Sequence, residues 1–114
     1  MVGMTPDRIL ANLDAITRRE VEKYVGYSPQ EKMYALIDPE HHRYAVVGIP
    51  KQQQNLSTSI VVLARVVGDQ IVIETDTTDK PLYEALMANA GVPRDQIILA
   101  YAGEPVPDTE KNGE

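Results

Sequence analysis

Two apolar runs set around a two-residue turn constrain this chain more than any other feature. Thr58 to Val67 and Gln70 to Thr75 flank Gly68-Asp69, and a short glycine-containing connection between such runs predicts a tight antiparallel hairpin. The pairing sets Val67 against Gln70, Val66 against Ile71 and Ala64 against Ile73. One face is then Ile60, Val62, Ala64, Val66, Ile71 and Ile73, wholly apolar and suited to a core. The other holds Val61, Leu63, Arg65, Val67, Val72 and Glu74. That second face is too apolar for solvent and too charged for a core, so the rest of the chain or another subunit must cover it. Val61, Leu63, Arg65, Val72 and Glu74 are therefore the candidate interface.

The hairpin runs into an acidic turn, Glu74-Thr75-Asp76-Thr77-Thr78-Asp79, and then a helix over Lys80 to Ala90. The carboxylates lack the spacing, central glycine and closing glutamate of a calcium loop. Helix capping by Asp79 or Thr78, with Pro81 in the first turn, explains them better. Gly91-Val92-Pro93 stops the helix, glycine adopting the left-handed conformation and proline preventing continuation. A last strand follows at Ile97 to Tyr101. Residues 104–114 are acidic and polar with proline, a flexible tail to a single domain spanning 1–103.

Upstream, residues 5–25 read as a helix capped by Thr5, with Pro6 in its first turn and an apolar stripe of Ile9, Leu10, Leu13, Ile16, Val21 and Tyr24. Met33 to Ile37 and Tyr44 to Gly48 read as strands apolar on both faces, which suits interior positions in a sheet. Their connection carries Asp38, Glu40, His41 and His42, residue types that bind metals. Adjacent histidines on a turn point apart, and no second ligand group completes a site. A polar hairpin tip is the better reading. Pro50 to Ser57 is a polar loop whose Lys51 has neither burial nor a neighbouring cation to activate it.

The layers implied are those of an α+β domain: a mostly antiparallel sheet of about five strands with two helices packed on one face. The core must be aliphatic, because Phe and Trp are absent and six Tyr are the only aromatic residues. The chain has no Cys, which excludes disulfides and thiolate chemistry. No nucleophile lies in a pattern with a base, and no glycine-rich loop cradles a phosphate. No catalytic residue, cofactor or metal site is expected. The first residues lack a secretory pattern and no apolar run could span a bilayer, so the expected setting is the cytoplasm.

The net charge of −6 falls wholly in residues 71–114, which carry nine acidic and three basic side chains. A nucleic-acid binder usually shows a basic stripe, and the absence of one argues against direct nucleic-acid binding. Arg18, Arg19 and Lys23 are the candidate DNA contact on the first helix. Ion pairing with Glu22 and neighbouring acids on a solvated face accounts for them better.

Several of these segments occur together in one known family. Gly68-Asp69-Gln70-Ile71-Val72-Ile73, then Asp76-Thr77-Thr78-Asp79, then Gly91-Val92-Pro93-Arg94-Asp95-Gln96-Ile97-Ile98-Leu99-Ala100-Tyr101 resemble, in order, the hairpin, acidic turn and helix stop of the XisI-like family. Those are cyanobacterial proteins named for a controlling factor of fdxN-element excision. Tyr24-Val25-Gly26-Tyr27-Ser28-Pro29 is similar to the family's first helix end, and the resemblance covers about residues 8–103. The tryptophans frequent in that family are missing here, which marks a divergent member. The resemblance implies an α+β fold and a non-enzymatic accessory or regulatory role in site-specific DNA recombination. It also implies action through a protein partner, an XisH-like nuclease or a recombinase, with no catalytic residues to transfer. Self-association, an antitoxin-like inhibition of a nuclease, and a direct DNA-binding module are the alternatives.

Overall fold

In a computed structural model, residues 6–26, 30–51 and 57–107 are described, with the side chains of the first helix described from Asn12 onward. Helix α1 (Pro6–Glu22) precedes strands β1 (Glu31–Asp38), β2 (Arg43–Pro50), β3 (Ser59–Val67) and β4 (Gln70–Asp76). Helix α2 (Leu82–Ala90) and strand β5 (Ile97–Leu99) follow. The strands form one sheet in the order β1-β2-β3-β4-β5. The first four alternate in direction as a meander, and β5 joins β4 in parallel. A parallel neighbour needs a crossover, which α2 supplies. Both helices pack on the same face of the sheet, α1 across β2 and β3, with α2 beside it over β4. This is the α+β arrangement expected. Among the described residues no helix is long and apolar enough to cross a membrane.

The core lies between the helices and that face. Val62, Ala64, Ile71 and Ile73 are wholly buried there, as the hairpin reading expects, together with Leu13, Val21, Tyr44, Val46, Leu82 and Leu86. The β3–β4 pairing is the expected one from Val67–Gln70 to Ala64–Ile73. Beyond it the ladder breaks twice. Ala64 faces Ile73 but Leu63 faces Thr75, leaving Glu74 as an extra residue in β4. Val46 faces Val62 but Val47 faces Ile60, leaving Val61 as an extra residue in β3. A bulge of one residue reverses which face later side chains occupy. Ile60, expected in the core, is therefore 44% exposed on the far face, while Val61 packs against the core.

Local chemistry explains the other departures. α1 ends at Glu22, ahead of Gly26, in a turn closed by Tyr24 N–H to Val21 O and Val25 N–H to Glu22 O. Thr5 and the side chains of Ile9 and Leu10 lie outside the described residues. β1 is an edge strand, not an interior one, and its residues alternate between half-buried and exposed. α2 begins after Pro81 with no cap from Thr78 or Asp79. Asp76 does that work: one oxygen accepts Leu82 N–H at 2.7 Å while the other holds Thr78 N–H at 2.9 Å and its hydroxyl at 2.6 Å. The acidic turn thus serves the helix amides, with Asp76 in place of the nearer carboxylate. Gly91 ends α2 as expected, at φ 71° with its N–H on Met87 O. β5 stops at Leu99 because Ala100–Ala102 turns into a 3-10 helix. Glu104, expected in a loose tail, is held instead: its carboxylate accepts Leu99 N–H at 2.8 Å and Arg94 at 2.6 Å. Residues 108–114 of that tail lie outside the described residues.

Candidate interaction surface

Among the described residues the far face of the sheet carries no helix, and it divides into two regions. At the β4–β5 end, Val72 is wholly buried and Ile98 is 8% exposed. Arg65, paired across the strands with Val72, is buried with them and binds Glu74 through its Nε. Glu104 to Val106 lie beside Ile97 and Ile98 and line one open cleft with them. At the β1–β2–β3 end the same face stays open. Tyr34 and Leu36 from β1, Ile49 from β2 and Ile60 from β3 are each more than a third exposed. The register sets Tyr34, Val47 and Ile60 in one row across the three strands and Leu36, Ala45 and Leu63 in the next.

The five candidate interface residues are therefore not one surface. Val61 turns to the core side, Arg65 and Val72 are buried within the chain, and only Leu63 and Glu74 keep a partly accessible place on the far face. The exposed apolar residues sit further toward β1. Their signal was present in Glu31-Lys32-Met33-Tyr34-Ala35-Leu36-Ile37-Asp38. Lys32 and Asp38 flank Tyr34 and Leu36 at period two, so one face of this strand is bounded by charge and solvated. A strand with both faces buried does not carry that pattern.

Arg18 and Arg19 on α1 and Lys23 just beyond its end are all exposed, and each is engaged by an acid. Arg18 pairs with Glu22 at 3.2 Å, while Arg19 and Lys23 converge on Glu20 at 3.4 and 3.0 Å. Glu20 is 1% exposed and also accepts a hydrogen bond from Asn89 of α2 at 3.1 Å. Burial pushes its carboxyl up, but the hydrogen bonds from Asn89, Lys23 and Arg19 outweigh it and hold the group below the ordinary value. A carboxylate depressed in the fold stabilises above its unfolded pKa, and that contribution is lost as pH falls through the folded value. Urea midpoints measured from pH 7 down to pH 3 should accordingly show native protein above Glu20→Gln at neutral pH, with the gap closing in acid. A constant gap would mean that the ionised form carries none of the difference.

The β1–β2 connection is tied down by side chains of the kinds that suggested a metal. Asp38 accepts His41 N–H at 3.3 Å and meets its ring nitrogen at 2.8 Å. His42 stands in the left-handed region, φ 58°, and its Nδ1 lies 3.0 Å from both oxygens of Asp14 on α1. The Tyr44 hydroxyl donates to the same carboxylate, and burial followed by Asp14 pushes its pKa up. The two histidines thus serve separate carboxylates. Among the described residues no group of three or more metal-binding side chains gathers.

A mostly antiparallel sheet with both helices on one face defines a class of small α+β domain. Comparison with known proteins places the chain within that class. The family described as XisI protein matches residues 8–110, and this chain belongs to the XisI family. Two solved structures share the fold, both from Anabaena variabilis ATCC 29413. A XisI-like protein aligns at TM-score 0.70 and 20% identity, over 79% of this chain and 84% of that one. The fdxN element excision controlling factor XisI aligns at TM-score 0.68 and 20% identity, over 90% of this chain and 98% of that one. No curated protein sequence matches the chain.

Proposed function

We propose that this protein is a non-enzymatic accessory or regulatory factor, acting in site-specific DNA excision by binding a nuclease-like or recombinase partner. Membership of the XisI family supports the setting, since one fold relative is named as an excision controlling factor. The observation that carries the mode of action is the open far face, where Tyr34, Leu36, Ile49 and Ile60 are exposed together. Single exposed apolar side chains are ordinary on a protein surface. A contiguous patch on one sheet face marks an interaction site. The cations of α1 support a DNA-gripping role less well, because each is already matched by a carboxylate.

The test is affinity capture from the native host with tagged protein, the bound proteins being identified by mass spectrometry. Recovery of a nuclease or recombinase by the native chain, and its loss with Ile60→Asp, is the expected result. Ile60 lies outside the core, so the substitution should leave the circular dichroism spectrum unchanged. Capture that Ile60→Asp does not disturb, or no recovery of either protein class, would overturn this reading.

A further inference from the structure

The two edges of the sheet are unequally protected. β5 is three residues long and passes at once into a 3-10 turn. β1 is eight residues long, contains no proline, and pairs with β2 without a register shift. Among the described residues β2 is its sole strand neighbour. An exposed edge is a template for another strand, and folded proteins blunt it by shortness, proline, bulges or inward charge. β5 is blunted by its length, whereas the charges of β1 stand only at its ends, Glu31, Lys32 and Asp38, and the stretch from Met33 to Ile37 carries none.

The direction of its free polar groups follows from the β2 ladder. Lys51 N–H donates to Gln30 O at 2.9 Å, so the even-numbered residues of β1 turn their backbone groups toward β2. Pro50, which has no N–H, stands opposite Glu31, as that parity requires. The odd residues Met33, Ala35 and Ile37 therefore direct theirs outward.

We propose that a second copy of this chain pairs antiparallel with β1 about a two-fold axis through Ala35, joining two sheets into one. In that register Ala35 meets its own copy, and Met33 meets Ile37 of the second copy, at hydrogen-bonded positions. Tyr34 meets Leu36 of the second copy, and Lys32 meets Asp38, at the closer non-hydrogen-bonded positions. Each of these pairs except that of Ala35 with its own copy occurs twice. The register sets Tyr34 and Leu36, 45% and 56% exposed, side by side on one continuous far face and sets opposite charges at both ends. A shift by two residues would place Lys32 against Leu36 or Asp38 against Tyr34. A shift by one would turn the helix layers to opposite sides. Only one register satisfies both the charges and the faces.

Light scattering and sedimentation across a concentration series should give twice the 12.7 kDa chain mass. Lys32→Glu, which sets like charges against Asp38, should weaken the dimer roughly ten-fold at low salt and less at high salt. The chain contains no Cys, so a single introduced thiol reports one position. Hydrogen-bonded pairs stand about 5.5 Å apart at Cα, within disulfide reach. Ala35→Cys should therefore form a covalent dimer on mild oxidation, while Lys32→Cys, far from its own copy, should not. A monomer at every concentration overturns the proposal, and so does a dimer that Ala35→Cys fails to cross-link. None of these three variants touches Ile60, so failure here is separable from failure of the partner reading.

Discussion

Replacing Leu86 by alanine is expected to remove about 3 kcal/mol of folding stability, read as a lowered urea midpoint with an unchanged slope. Leu86 is wholly buried in the core cluster, and with Leu82 it provides the two fully buried side chains of α2. That helix has nine residues, too few to persist alone, so packing must hold it in place. The loss is a large part of the roughly 5–15 kcal/mol that a domain of this kind possesses. Met87, its neighbour, is 39% exposed, and Met87→Ala should change stability by less than about 0.5 kcal/mol. Equal effects at the two positions would mean that α2 does not pack as described.

The second expected result concerns Arg65 and Glu74. Glu74→Ala takes a carboxylate from a guanidinium that is nearly buried against Val72. Breaking a largely buried ion pair by removing one member costs about 3 kcal/mol. The double variant Arg65→Met, Glu74→Leu removes both charges, keeps much of the volume, and should lie within about 1 kcal/mol of the native protein. Thermal or urea unfolding of the three proteins forms the test. A double variant as unstable as Glu74→Ala would mean that the pair itself, and not merely its symmetry of charge, is required. The same measurement bears on function, because the pair fills the β4–β5 end of the far face and leaves the apolar surface to β1, β2 and β3.

Much of this architecture was legible from local signals. The Gly68-Asp69 turn and the alternation on either side of it were enough for the hairpin register. Gly91-Val92-Pro93 was enough for the end of α2. These features depend on neighbours in the chain, so short-range sterics and period-two patterning determine them. Family membership was legible too, because the hairpin, acidic turn and helix stop occur in a set order.

What only the tertiary structure decided are the places where a residue answers to something distant. The bulge at Val61 moved Ile60 out of the core and Val61 toward it. Nothing in IVVL, residues 60–63, marks which residue will be skipped, since every candidate is apolar. Asp76 rather than Asp79 meets the first amide of α2, because the turn folds back and places the more remote carboxylate there. Glu104 is drawn from the tail by Leu99 N–H and Arg94, a bond across a turn that composition does not report. Most consequentially, β1 is an edge. Strand order depends on which neighbours pair across the whole sheet, and the alternation that leaves one face of β1 solvated reads alike for a strand at the centre and one at the rim. The chain's own sequence determined its strands, turns and family, and the assembled sheet decided the strand order and which apolar side chains stay exposed.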